Sequence, residues 1–218
     1  MPDLKAIIFD LDGTLLDTIE DLAFSVNAVL EKYALKEHPV DDYRFFVGDG
    51  IDVLVQRAFP ADFIGKNGLT KIIDEVKEEY SRRWNDHTKP YDGIVELLEF
   101  LERNNIPKGI FSNKLHEFAI LTVTELLPDW TFIDIIGIKT GTPRKPNPLG
   151  ALKIAEKMQI DPSQIIYLGD TDIDMTTAKN GGFYPVGALW GFRPSDELKE
   201  AGAEVLAEHP SVVSALFK

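Results

Sequence analysis

Two aspartates near the start of the chain have the spacing of a metal or phosphate site. Asp10 and Asp12 follow the apolar run Ala6-Ile7-Ile8-Phe9, and Gly13 comes next. A short unbroken apolar run is typical of a strand buried on both faces, and residues i and i+2 of an extended chain point to the same side. Adjacent carboxylates repel unless a cation or a shared proton lies between them, so the pair indicates an oxygen-liganded metal such as Mg²⁺. A strand end followed by a simple Asp/Gly turn is the alternative.

Three further polar groups follow later apolar runs. Ser112 and Asn113 precede a helical pattern, where a hydroxyl and backbone N–H groups can hold a phosphate. Lys145 lies on a loop that Pro146 and a second proline stiffen, so its ammonium could offset the carboxylates and bind phosphate. The segment Asp170–Asp174 holds three carboxylates, of which helix capping explains one or two. Taken alone, each residue is more often an ordinary one, an N-capping serine for Ser112 and a solvated surface lysine for Lys145.

The elements that must position these residues alternate along the chain. Strand-like runs occur at 6–9, 109–112, 132–138, 165–168, 184–189 and, weakly, 204–206, with helical patterns between them. This alternation predicts an α/β fold, a Rossmann-like three-layer core with a parallel sheet. Residues 18–86 show helical periodicity alone, so we expect a helical cap domain inserted in a core of residues 1–17 and 87–218. Thr18 and Asp21 have the spacing of a capping arrangement for its first helix.

Composition limits the possible partners. The 218 residues carry a net charge of −13, are 44% hydrophobic and include no cysteine. Disulfides and thiolate chemistry are therefore excluded, and a cytoplasmic location is expected. The acidic balance disfavours nucleic acid and anionic membranes as partners, and no apolar run is long enough to span a bilayer. A monomer and a homodimer both remain open.

In their order along the chain, these motifs resemble those of one enzyme family. The set D-L-D-G-T, S-N, K-P and G-D-T-D-I-D, each at the carboxyl end of a predicted strand, resembles the haloacid dehalogenase superfamily of phosphohydrolases over essentially the whole chain. Within that superfamily, the segments 48–50, 144–148 and 187–193 are similar to those of phosphoglycolate phosphatases.

The resemblance implies a role for each carboxylate. Asp10 would be the nucleophile that forms an aspartyl-phosphate, and Asp12 would be the general acid and base. Mg²⁺ would be held by the Asp10 carboxylate, the Asp12 backbone carbonyl and Asp170. Asp174 would support the waters on the metal or orient Lys145.

The same resemblance implies a phosphate site and an activity. Ser112, the Asn113 backbone and Lys145 would hold the phosphoryl oxygens, and Thr14 would help to hold the loop at that site. The expected function is Mg²⁺-dependent hydrolysis of a small phosphorylated metabolite, 2-phosphoglycolate, through the aspartyl-phosphate. An aspartate at position 12 favours a phosphate ester over a carbon–halogen bond, because a halide leaves without a proton.

Substrate choice is expected to come from the cap. Phosphoglycolate carries a carboxylate close to its phosphate, and a guanidinium can bind a carboxylate through two hydrogen bonds. Arg44 lies just before Gly48 and Gly50, two residues that allow close approach of backbone N–H groups. A surface arginine followed by an ordinary turn is the alternative interpretation.

Three other functions remain open at this point. A phosphomutase of the β-phosphoglucomutase type would share both core and cap, but its phosphoenzyme must outlive exposure to water. A signalling receiver domain would be about half this length, with its acceptor aspartate later in the chain. A non-catalytic phosphate-binding protein is disfavoured because all the motif carboxylates and Lys145 are present.

Overall fold

The chain forms two compact units, seen in a computed structural model that describes residues 3–217. One unit comprises the described residues up to Leu16 together with those from Pro90 onward, and the other is Asp17–Lys89. The prediction placed these boundaries at residues 17/18 and 86/87. The role of the second unit as a cap stays a prediction.

A six-stranded parallel sheet forms the centre of the first unit. The strands of the chain are β1 (Ala6–Phe9), β2 (Leu16–Asp17), β3 (Lys89–Pro90), β4 (Lys108–Leu115), β5 (Ile135–Ile138), β6 (Ile165–Gly169), β7 (Tyr184–Ala188) and β8 (Val205–Ala207). The sheet order is β5-β4-β1-β6-β7-β8, and every pairing is parallel. The strands β2 and β3 form a separate two-stranded sheet. The predicted α/β class with a parallel sheet is confirmed.

Helices cover both faces of this sheet. The first-unit helices are α6 (Ile94–Arg103), α7 (His116–Leu126), α8 (Leu149–Met158), α9 (Asp172–Gly181), α10 (Ser195–Ala201) and α11 (Pro210–Ser214). Ile7 and Phe9 of β1 pack in a cluster with apolar residues of α6, α7 and α11. Ala6 and Ile8 pack in a second cluster with apolar residues of α8 and α9. Successive strand residues face opposite layers, which produces the three-layer core and explains why β1 is apolar at every position.

The second unit is helical. It contains α1 (Ile19–Lys32), a short 3₁₀ helix (Val40–Asp42), α2 (Tyr43–Phe46), α3 (Ile51–Ala58), α4 (Ala61–Asn67) and α5 (Leu69–Arg83). The buried positions Val26 and Leu30 of α1, and Ile72 and Val76 of α5, recur at helical spacing, as expected for amphipathic helices. Within residues 3–217, no helix combines the length and hydropathy needed to cross a bilayer.

The predicted cap of α1 is wrong. Thr18 precedes the helix, but its side chain makes no capping hydrogen bond. Asp21 is fully buried and accepts hydrogen bonds from the backbone N–H groups of His87 and Thr88 and from the Thr88 hydroxyl, at 3.0, 2.9 and 2.6 Å. The carboxylate therefore fastens the last residues of this unit to its first helix, and a capping motif read from local sequence could not reveal partners so distant in sequence.

Candidate active site

The carboxyl ends of two adjacent strands bring Asp10 and Asp170 together. Asp10 directly follows β1, and Asp170 directly follows β6, its parallel neighbour. The Asp10 N–H extends the pairing by donating to the Leu168 carbonyl at 2.8 Å. Both carboxylates are buried, and this edge is where ligands bind to open α/β sheets.

The first turn of α9 adds a third carboxylate. Asp174 and Thr171 form a capping box, in which the Asp174 Oδ2 accepts from the Thr171 N–H and hydroxyl at 3.1 and 2.7 Å. A Cβ on Gly169 would lie 2.3 Å from the Asp174 Cβ, so only glycine fits at this strand end. Thus the strand end and the helix start clamp Asp174 at the site.

Lys145 lies between two of these carboxylates. Its Nζ is 2.8 Å from the Asp10 Oδ1 and 2.6 Å from the Asp174 Oδ1, and its side chain is 1% exposed. The Asn113 side chain fixes the loop, because it accepts from the Lys145 N–H at 2.9 Å and donates to the Lys145 carbonyl at 3.3 Å. The phosphate-binding role of the Asn113 backbone stays a prediction, whereas its side chain orders the loop that carries Lys145.

The three carboxylates form a group that could hold a metal ion. Oxygen atoms of Asp10, Asp170 and Asp174 all lie within 4.8 Å of one another. The Asp10 Oδ1 is buried and lies 2.8 Å from the Lys145 ammonium. Oxygen ligands of this kind suit Mg²⁺, so the residues present fit the predicted cofactor.

Electrostatics at the site also favour a bound cation. Burial, and then the charge of Asp174, raise the pKa of Asp10 to about 7 against the opposing effect of Lys145. Burial and the charges of Asp174 and Asp10 likewise raise the pKa of Asp170 well above its usual range. Burial disfavours the Lys145 ammonium, but the charges of Asp10 and Asp174 outweigh it and hold the pKa of Lys145 well above its usual value.

The Asp12 carboxylate lies apart from this group of three. It accepts a hydrogen bond from the Lys114 Nζ at 2.9 Å. The i, i+2 argument from extended chain does not apply, because β1 ends at Phe9 and the chain turns at Gly13, whose φ is +85°. The predicted metal ligand at this position was the Asp12 backbone carbonyl, and that assignment stays a prediction.

Donors fix both oxygens of Asp170. The Thr14 hydroxyl donates to the Oδ1 at 2.8 Å, and the Phe192 N–H donates to the Oδ2 at 2.8 Å. The Trp190 indole N–H donates to the Thr14 carbonyl at 2.9 Å, and a Cβ on Gly191 would lie 2.2 Å from the Asp170 Cβ. Thr14 therefore orients the Asp170 carboxylate, and its role at a phosphate site stays a prediction.

Sequence reasoning missed the supporting role of this loop. The sequence of residues 187–193 resembles that of phosphoglycolate phosphatases, but this resemblance predicted no role for the Trp190 indole or the Phe192 backbone. A glycine beside two aromatic residues just after a predicted strand was the available signal.

Ser112 and the cap residues complete the predicted site list. Ser112 is buried, and its Oγ accepts from the Lys114 N–H at 3.2 Å. In the other unit, Arg44 lies on α2 with its Nε 3.6 Å from the Asp41 Oδ1. Gly48 and Gly50 have φ values of +122° and +98°, a conformation that favours glycine.

Comparison with known proteins identifies the class. The family model described as haloacid dehalogenase-like hydrolase matches residues 7–188. The chain therefore belongs to the haloacid dehalogenase-like hydrolase family, as the motifs predicted.

Individual relatives are similar over nearly their whole lengths. A phosphoglycolate phosphatase of Xanthomonas campestris pv. campestris is 32% identical, with 94% of this chain and 93% of the relative covered. An N-acetylmuramic acid 6-phosphate phosphatase of Pseudomonas aeruginosa is 30% identical, with 95% and 92% covered. A crystal structure from Lactobacillus delbrueckii subsp. bulgaricus, provisionally assigned as a phosphoglycolate phosphatase, superposes with a TM-score of 0.91 at 27% identity, with 99% and 98% covered.

Proposed function

We propose that this chain hydrolyses 2-phosphoglycolate, with Asp10 as nucleophile and Mg²⁺ as cofactor. That it is a phosphoric monoester hydrolase follows from its family and from its phosphatase relatives. The proposal is carried by one observation: the Asp10 carboxylate, buried at the end of β1, lies 2.8 Å from the Lys145 ammonium and within one group with Asp170 and Asp174.

The residues around Asp10 divide the reaction into two displacements. An Asp10 oxygen bonds to phosphorus as the ester P–O bond breaks, and the departing alkoxide takes a proton from Asp12. A water molecule then attacks phosphorus and gives a proton to Asp12, which releases inorganic phosphate and restores the Asp10 carboxylate. General acid–base assistance of this kind contributes about 10²–10⁴-fold.

Charge at the site determines how the anionic ester is held. Lys145, the Ser112 hydroxyl and the Asn113 backbone N–H would bind the phosphoryl oxygens as their charge is redistributed. Mg²⁺, held by Asp10, Asp170 and the Asp12 carbonyl, would supply positive charge that offsets the repulsion between carboxylate and phosphate.

The nucleophile is tested by Asp10→Asn. An amide cannot form the acyl phosphate, so we expect turnover to fall to background while circular dichroism shows an unchanged fold. A mock preparation from cells that lack the expression gene controls for contaminating phosphatase. Substantial Mg²⁺-dependent activity in the variant would exclude Asp10 as the nucleophile.

The choice of 2-phosphoglycolate is supported by similarity to the Xanthomonas campestris relative, which is named a phosphoglycolate phosphatase. The Pseudomonas aeruginosa relative favours a second candidate, a sugar 6-phosphate. A panel of small phosphate esters separates them: kcat/KM should be highest for 2-phosphoglycolate, and a preference for hexose or N-acetylmuramic acid 6-phosphate would reject this substrate.

The phosphomutase alternative makes a different demand on the same site. It requires phosphoenzyme that transfers its phosphoryl group to a second sugar phosphate instead of to water. Isomerisation of a hexose phosphate without release of inorganic phosphate would favour it. The cytoplasmic location and the monomeric or homodimeric state stay predictions.

A further inference from the structure

A second buried lysine lies at the active site, and the mechanism above does not use it. The Lys114 side chain is 5% exposed, and its ammonium is 2.9 Å from the Oδ1 of Asp12, which is itself 11% exposed. Moving an ammonium out of water costs several kcal/mol unless a partner of good geometry offsets it. The contact between the Lys114 ammonium and the Asp12 carboxylate, the candidate general acid, therefore calls for a function.

The backbone of β4 is irregular where it presents this lysine. The pairing of β4 with β5 shifts register between Phe111 and Leu115. Inside this segment, the Ser112 Oγ accepts from the Lys114 N–H. Irregularities of this type redirect side chains at the ends of strands. Sequence reasoning ended this strand at Ser112, whereas the structure continues it to Leu115, so the position of Lys114 was not foreseen.

We propose that Lys114 is a positioning residue for Asp12, an inference that rests on the proposed phosphatase function. Among the described residues, the Asp12 carboxylate has one hydrogen bond, from Lys114 to its Oδ1. That bond fixes the carboxyl group and leaves the Oδ2 to exchange a proton with the leaving group. Lys114 keeps its own proton throughout, and the transferred proton moves from Asp12 to the ester oxygen as the P–O bond breaks.

The dependence on the leaving group distinguishes positioning from other roles. A leaving group that is a stable anion departs without a proton, whereas a more basic one needs Asp12 correctly placed. Phenyl phosphate and 4-nitrophenyl phosphate have the same charge and similar shape, and their leaving groups differ in basicity. The parameter kcat/KM reports the steps up to leaving-group departure and is independent of the later attack of water.

The test compares Lys114→Met with wild type on these two esters. We expect kcat/KM to fall about 10- to 100-fold for phenyl phosphate and less than about threefold for 4-nitrophenyl phosphate, since general acid catalysis is typically worth about 10²–10⁴-fold. Lys114→Arg keeps the charge and should restore part of the loss on phenyl phosphate. Asp12→Asn should show the same selectivity, and the double variant Asp12→Asn/Lys114→Met should lose little more than Asp12→Asn alone.

The same strand offers a matched control. Lys108, at the other end of β4, is also buried and pairs with Glu102. Lys108→Met removes a similar ion pair away from the site and should leave the ratio of the two kcat/KM values unchanged.

Equal losses on both esters in Lys114→Met would overturn the proposal, because they would indicate a uniform effect on substrate binding or folding. Multiplicative losses in the double variant would also overturn it. If the methionine variant does not fold, Lys114→Arg and Lys114→Gln give the same comparison. Failure of the phosphatase function itself would appear separately, as wild-type protein inactive on every ester.

Discussion

At the scale of single residues, the candidate active site holds more buried carboxylates than cationic side chains to balance them. Asp10, Asp170 and Asp174 are buried together, and the Lys145 ammonium contacts two of them. Burial raises the pKa of Asp10 to about 7, so its charged form is disfavoured in the folded chain without a metal. A group whose folded pKa is raised contributes stability that is lost as pH rises. The active site therefore destabilises the metal-free fold near neutral pH.

This excess charge predicts that Mg²⁺ stabilises the protein, independently of any activity. Saturating Mg²⁺ should raise the thermal unfolding midpoint, with about 2.7 kcal/mol of stabilisation at a concentration 100 times Kd. Metal binding requires ionised carboxylates, and the pKa of Asp10 is about 7. The shift should therefore be larger at about pH 8 than at about pH 6.

Two variants in the segment 170–174 test whether the Mg²⁺-dependent shift in the unfolding midpoint comes from the carboxylate group. Asp170→Asn removes a member of the carboxylate group and should abolish most of the Mg²⁺-dependent shift. Asp172→Asn changes a carboxylate two residues away that is outside the group and should retain it. An equal shift in both variants would contradict the proposed metal site.

At the scale of elements, Asp21 shows how one buried carboxylate can join distant segments. It binds the N–H groups of His87 and Thr88 and the Thr88 hydroxyl, and its Oδ1 is 2.9 Å from the His87 Nδ1. These contacts tie the first turn of α1 to the residues that end the second unit. The unit is thereby closed by a polar clasp in addition to its apolar core.

Removing this clasp should cost stability. Asp21→Ala leaves buried donors unsatisfied, each worth about 1–3 kcal/mol, so we expect unfolding free energy in urea to fall by about 2–4 kcal/mol. Asp86→Ala changes an exposed acid next to the clasp and should lie within about 0.5 kcal/mol of wild type. Similar values for both variants would show that Asp21 does not hold the unit together.

The same clasp predicts a pH dependence. The hydrogen bond that the His87 ring donates to Asp21, and the charge of Asp21, raise the pKa of His87, with opposition from burial. Because the folded pKa is raised, this contribution is present below the unfolded value of about 6.5 and disappears as pH rises through the folded pKa. The stability difference between wild type and His87→Gln should therefore be greater at about pH 6 than at about pH 9.

At the scale of the whole molecule, a net charge of −13 must be reconciled with an anionic substrate. If Arg44 binds the substrate carboxylate, Arg44→Ala should reduce kcat/KM for phosphoglycolate by about 10- to 150-fold, equivalent to about 1.5–3 kcal/mol. A phosphate monoester whose alcohol part carries no charge should lose little. Arg82→Ala, on α5 of the same unit, is a control for loss of charge. Equal losses of Arg44→Ala on both esters would assign Arg44 to folding instead.

The sequence predicted the features that depend on neighbouring residues better than the contacts between residues far apart in the chain. The strand of residues 6–9 and the placement of Asp10 and Asp170 at strand ends follow from short patterns, and the structure has them there. The pairing of Lys114 with Asp12 and of Trp190 with Thr14 joins positions far apart in sequence. No local pattern encodes such contacts, because they depend on how the layers pack.

The position of β1 has a consequence for the making of the protein. In the folded sheet its neighbours are β4 and β6, which both come later in the chain, with Phe9 beside Ile110 and Leu168. Both of its edges can be paired only after β6 has left the ribosome. Long-range pairing of this kind delays folding and exposes apolar strands meanwhile. The apolar segment before Asp10 is therefore exposed on the nascent chain until strands far along the sequence are available to pair with it.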